Sequence, residues 1–112
     1  MPCLDISTNV SLDGVDIDSV FSEATKAVAS IIGKPENYVM VLVRGSVDIS
    51  FGVNKEPAAF AEVVSMGGIN SEVKKKLIYT LGTILLNKLS IQRSRFFLKV
   101  HDTTAGRSRS RL

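Results

Sequence analysis

A helix-period apolar stripe flanked by strand-like runs occurs twice in this chain, in the same order and at nearly the same spacing. From Ser19, residues Val20, Phe21, Ala24, Ala27, Val28, Ile31 and Ile32 recur at steps of three and four, which makes one buried helix face. Asp18 or Ser19 is positioned to cap its start, and Gly33 to stop it, since the stop calls for a residue that tolerates positive φ. Ahead of the stripe, residues 3–7 alternate partially and read as a strand, followed by a Gly/Asp-rich loop over 13–18. Behind it, residues 38–43 (YVMVLV) form a continuous β-branched-rich run that reads as a central strand buried on both faces. A brief extended piece from Val47 ends at Phe51 and Gly52.

The second half replays this order. Residues 58–66 read as a strand with Gly67-Gly68 as its exit, and Asn70 caps a second helix. Val73, Leu77, Leu81, Ile84, Leu85 and Leu89 make that helix's inner face, and residues 95–101 supply a last strand. At an offset of about 58 residues Tyr38 aligns with Phe96 and Met40 with Leu98; the repeat is one of element order, with poor identity. Two β-α-β units of this length predict an α+β domain in the order β-α-β-β-α-β, a four-stranded sheet with both helices on one face. The other sheet face keeps apolar residues with no helix left to cover it, and a chain in that position usually oligomerises.

Composition narrows the function classes. The 112 residues suit one domain, and 45% hydrophobic against 22% charged residues exclude a disordered chain. The longest clean apolar run, 38–43, is far short of the roughly 20 residues a bilayer requires, so no membrane insertion is expected. No basic segment followed by an apolar stretch opens the chain, so no secretory signal is expected. The single cysteine, Cys3, has no internal disulfide partner, which suits a reducing compartment. The net charge of +3 is not a nucleic-acid footprint: it is matched by Arg107, Arg109 and Arg111, all near the C-terminus. Lys74, Lys75 and Lys76 fall on the polar side of the second helix and read as a solvated face. We therefore expect a domain over residues 1–104 and a basic tail over 105–112. His101 has no histidine or cysteine partner nearby, and neither a metal site nor a cofactor is expected.

Met1-Pro2, Thr8-Asn9-Val10, Gly33-Lys34-Pro35 with Tyr38, Phe51-Gly52 with Glu56-Pro57, Ser65-Met66-Gly67 and a last strand ending in Asp102 carry a resemblance. From residue 1 to about residue 102 the chain resembles the tautomerases of the macrophage migration inhibitory factor and D-dopachrome tautomerase family, and looks closest to its plant branch. The resemblance implies a tautomerase-fold homotrimer with pockets at the subunit boundaries. It implies that Pro2, once Met1 is removed, is the catalytic acid/base. Lys34 would hold the substrate's carboxylate or oxyanion, and the backbone N–H of Met66 would stabilise the oxyanion. An α-amino group titrates near about 7.7–8.0 unperturbed, and burial beside a cation lowers it, the condition for a base working near neutrality.

Two pocket positions depart from the pattern of animal members: Phe97 stands for a tyrosine and Lys99 for an asparagine. Phe97 keeps a hydrophobic surface without the hydroxyl, and Lys99 adds a second cation. The family's Cys-x-x-Cys aligns with residues 57–60 (PAAF), which excludes its thiol-disulfide chemistry. The expected activity is keto-enol tautomerisation of small aromatic 2-oxo acids of the phenylpyruvate type. The alternative is a non-catalytic, cytokine-like binding or signalling trimer. Ser110, Arg111 and Leu112 resemble the Ser-Lys-Leu peroxisomal address, so a peroxisomal import receptor is an expected partner and the peroxisome the expected location, with the cytosol as the alternative.

Overall fold

The first apolar stripe forms helix α1 (Ile17–Ile32) in a computed structural model that describes residues 1–104. Its cap is Asp16 rather than Asp18 or Ser19: the Asp16 carboxylate accepts the Ser19 N–H at 3.2 Å. Ser19 is thus one of the orphan donors of the first turn, and the side chain three residues ahead reaches it. Gly33 ends α1 in the left-handed region (φ 81°), its N–H on the Ala29 carbonyl. The second stripe forms α2 (Ser71–Leu89), capped by Asn70 on the Val73 N–H at 2.9 Å. α2 closes without a glycine. Ser90 takes the left-handed conformation (φ 57°), while Ile91 is buried and donates its N–H to the Leu85 carbonyl. That burial offsets the roughly 1–2 kcal/mol a left-handed non-glycine residue costs.

Among the described residues there are four strands: β1 (Cys3–Thr8), β2 (Met40–Arg44), β3 (Ala59–Ser65) and β4 (Phe96–Asp102). They form one mixed sheet in the order β2-β1-β3-β4, with β2 parallel to β1, β4 parallel to β3, and β1 antiparallel to β3 at the centre. The architecture is the α+β arrangement of two β-α-β units.

Two local expectations are corrected. The run over 38–43 is not a central strand: β2 lies at the sheet edge, Tyr38 belongs to a single 3-10 turn (Glu36–Tyr38), and Met40 is exposed. A continuous apolar run reports that both faces are apolar, not that this chain covers both. Residues 47–51 form no strand, only an isolated bridge between Phe51 and Asn54.

Alternation decides which side of the sheet is sealed. Leu4, Ile6, Ala61 and Val63 pack against Ala24 and Val28 of α1 and Leu77, Leu81 and Leu85 of α2, all buried. Both helices therefore cover the same face. The opposite face carries rows fixed by the register: Cys3, Val64 and His101; Asp5, Glu62 and Lys99; Ser7, Phe60 and Phe97. Within it Arg44 pairs with Asp5, Lys99 stands 3.9 Å from Glu62, and the Phe60 and Phe97 rings stack at 5.8 Å. Lys74, Lys75 and Lys76 are exposed on α2.

Candidate functional site

The pairing directions send four chain segments to one end of the sheet. Pro2 enters β1 there, Met40 begins β2, Met66 leaves β3, and Thr103 leaves β4. Pro2 is fully buried although Met1 is 77% exposed, and the Pro2 carbonyl accepts the Met40 N–H at 3.0 Å. Because Cys3 pairs with Val64, Pro2 lies across from the buried Ser65, one residue before Met66.

Lys34 reaches this end by way of α1. It follows Gly33, its N–H shares the Ala29 carbonyl with that residue, and its side chain is half-buried. The end of α1 is pressed onto the β3–α2 loop at Gly68. A Cβ there would lie 2.8 Å from Ile32 Cγ2 and 2.9 Å from the Ile32 carbonyl oxygen. Only glycine fits, at φ 77°. The fold thus brings Pro2, Lys34 and Met66 to one end of the sheet, Met66 with its side chain 43% exposed.

A hydrogen-bonded brace holds the loop after β3. The Asp102 carboxylate accepts the Gly67 N–H at 3.1 Å and the Thr104 N–H at 2.9 Å. These two bonds, that to Thr104 foremost, hold its pKa below the usual carboxylate range. Ser65 Oγ donates to the Gly67 carbonyl at 2.8 Å.

Phe97 and Lys99 are elsewhere. They lie on the open sheet face, Phe97 beside Phe60 and Lys99 beside Glu62. Along β4, Phe97 stands about 16 Å from Asp102 at about 3.3 Å per residue. Within one protomer they do not join Pro2. Cys3 is half-buried on the same face; burial, then Asp5 and Glu62, push its thiol up, so it stays protonated near neutrality. Among the described residues no three His, Cys, Asp or Glu side chains gather as a metal cluster, and no helix is long and apolar enough to cross a membrane. Ser110, Arg111 and Leu112 lie outside the described residues.

In the sequence Asp102 reads as the end of the last strand, and Phe60 only as the position of a missing thiol. The signal for Asp102 was available: two glycines leave one strand where a neighbouring strand ends in an acceptor. Phe60 became legible only once β3 and β4 were paired in register.

Two β-α-β units sharing one sheet, with a buried proline second in the chain at the sheet's end, define an α+β protein of the tautomerase-fold class. The family description Macrophage migration inhibitory factor (MIF) matches residues 1–108, and the chain belongs to that family. A macrophage migration inhibitory factor homolog of Trichuris trichiura is 33% identical over 102 residues, covering 91% of this chain and 89% of that protein. The macrophage migration inhibitory factor of Xenopus laevis is 32% identical over 105 residues, covering 94% and 90%. Among solved structures, the macrophage migration inhibitory factor of Trichinella spiralis superposes with a TM-score of 0.83 at 29% identity, over 89% of this chain and 88% of that one. A homologue from Prochlorococcus marinus gives 0.85 at 26% identity, over 89% and 87%.

Proposed function

We propose that this protein is a keto-enol tautomerase of small aromatic 2-oxo acids, of the phenylpyruvate type, with Pro2 as acid/base after removal of Met1. The observation that carries the reading is the burial of Pro2 at the sheet end where Lys34 and Met66 also arrive. A free Pro2 amine in that position has a ring that fixes its backbone and a low-dielectric setting that disfavours the ammonium form. In enolisation the C3–H bond of the 2-oxo acid breaks, and its proton passes to the Pro2 nitrogen. The C–H electron pair becomes the C2=C3 double bond and the carbonyl π pair moves to the C2 oxygen, which then takes a proton; ketonisation is the reverse. Lys34 binds the carboxylate, and the Met66 N–H donates to the developing oxyanion.

The pocket is completed in a homotrimer, in which a neighbouring protomer supplies Phe97 as the hydrophobic contact and Lys99 as a second cation. The placement of these residues on the open sheet face, Phe97 at the far end of β4 from Asp102, supports that arrangement, as does the exposed apolar surface there. The domain over 1–104 carries the chemistry, and Ser110, Arg111 and Leu112 address the protein to peroxisomes through the import receptor. A fluorescent protein extended by residues 105–112 tests the address: it should enter peroxisomes and lose that location without Leu112.

The experiment for the activity follows phenylpyruvate ketonisation by protein whose mass shows Met1 removed, beside Pro2→Gly. We expect Pro2→Gly to lose at least about a hundredfold in kcat, the scale of one general acid/base. Equal rates in the two proteins would refute the reading. A second reading, a binding trimer without catalysis, is favoured by Lys99, whose ammonium leans toward Glu62 at 3.9 Å. A folded trimer with no turnover, unchanged by Phe97→Tyr with Lys99→Asn, would select it.

A further inference from the structure

We propose that Asp102 and Thr103, at the end of β4, are positioning residues that aim the Met66 N–H at the N-terminal residue. The inference rests on the tautomerase reading, in which that N–H meets the substrate oxyanion.

The Ser65 carbonyl and the Met66 N–H belong to one planar trans unit, so they point in opposite directions. Thr103 Oγ1 donates to the Ser65 carbonyl oxygen at 3.4 Å, which commits that oxygen to the β4 side. One unit later the Gly67 N–H is committed to the same side by Asp102 Oδ1 at 3.1 Å. With the groups on either side of it turned toward β4, the Met66 N–H faces the β1 side. That is where the chain begins, since Cys3 opposes Val64. The Pro2 carbonyl does not compete for this donor, because it points to β2 and accepts from Met40.

The brace has a reason to exist. Gly67 and Gly68 both sit at positive φ, 83° and 77°. A loop through two glycines has little intrinsic preference to hold the preceding peptide plane in one orientation. Ser65 Oγ on the Gly67 carbonyl fixes one part of it, and Asp102 with Thr103 fixes the part that carries the Met66 donor. A carbonyl that accepts a hydrogen bond also makes the N–H of its own unit a stronger donor. Asp102 touches no reacting atom here; it acts through the loop.

Two pairs of variants read this out by steady-state ketonisation of phenylpyruvate on the full chain. Asp102→Ala removes the acceptor, whereas Asp102→Asn keeps an oxygen able to accept from Gly67. Thr103→Val removes the hydroxyl donor, and Thr103→Ser restores it. Misaiming a transition-state donor lowers kcat more than it raises KM. We expect Asp102→Ala and Thr103→Val to lose about tenfold or more in kcat with KM within about threefold. The Asn and Ser variants should stay within about threefold of wild type. The Met66 amide resonance should shift in the first pair and return in the second.

Unchanged kcat and an unmoved Met66 amide in Asp102→Ala and Thr103→Val would overturn the inference. So would equal losses in the conservative and the disruptive variants. If wild type is active and Pro2→Gly is not, while these variants behave as wild type, only this inference fails. An inactive wild type overturns the tautomerase reading and this inference with it.

Discussion

Gly68 lies against the end of α1 so closely that a methyl group there would meet the Ile32 carbonyl oxygen at 2.9 Å, on a backbone already at φ 77°. Both the contact and the dihedral oppose any side chain. Gly68→Ala should lose about 1–3 kcal/mol in denaturant unfolding. An unfolding midpoint equal to wild type would show that α1 and the loop are not pressed together as described. At this scale the sequence was readable in kind but not in partner. Two glycines after a strand announce a turn, yet nothing local says that Ile32 is what the second one must clear. The α1 cap is ambiguous in the sequence for a similar reason. Asp16, Asp18 and Ser19 are all competent caps, and only the three-residue reach from Asp16 to the Ser19 N–H selects among them.

The segment over 51–57 depends on two side chains rather than on strand pairing: Asn9 Nδ2 donates to the Lys55 and Glu56 carbonyls at 3.1 and 2.9 Å, and Arg95 holds the rest. Arg95 Nε donates to the Pro57 carbonyl at 2.9 Å, Nη1 to that of Phe51 and Nη2 to that of Glu56, each at 3.0 Å. The guanidinium also stands 5.1 Å from the Phe51 ring centroid. A planar fork can serve three carbonyls in fixed directions, and an ammonium cannot. Arg95→Lys should therefore cost about 1–2 kcal/mol in stability and speed amide exchange over residues 51–57. Exchange at wild-type rates there would contradict the clamp. Elements with their own period, α1 and α2, were legible because a stripe at steps of three and four admits one packing solution. The loop was not, since its order comes from Asn9 and Arg95, side chains far from it in sequence on either side. The edge position of β2 was hidden because strand order is a property of pairing, and an apolar run looks the same at the edge as at the centre.

For the whole molecule, the open sheet face is the feature that both the sequence and the structure leave unsatisfied. Phe60 and Phe97 are 41% and 56% exposed, and Met40 at the sheet edge is 57% exposed. Apolar surface of this kind is characteristic of an assembly interface. Light scattering should give a mass about three times the 12.1 kDa of the chain; a mass equal to one chain would contradict the trimeric pocket. Two of the five candidate site residues, Phe97 and Lys99, stand apart from the rest within one chain, and the proposed pocket needs such an assembly to join them, which the order of one chain's elements does not disclose.

The central claim is that chemistry resides on a secondary amine at Pro2, and Met1 offers the cleanest contrast. Met1 is 77% exposed and Pro2 is already buried behind it, so keeping or removing Met1 leaves the fold alone while converting an amide nitrogen to a base. The measurement is phenylpyruvate ketonisation by the same chain with and without Met1, each form verified by mass. Turnover confined to the Met1-free form is the predicted result. Equal turnover in both forms would contradict the account, because an amide nitrogen cannot carry the proton.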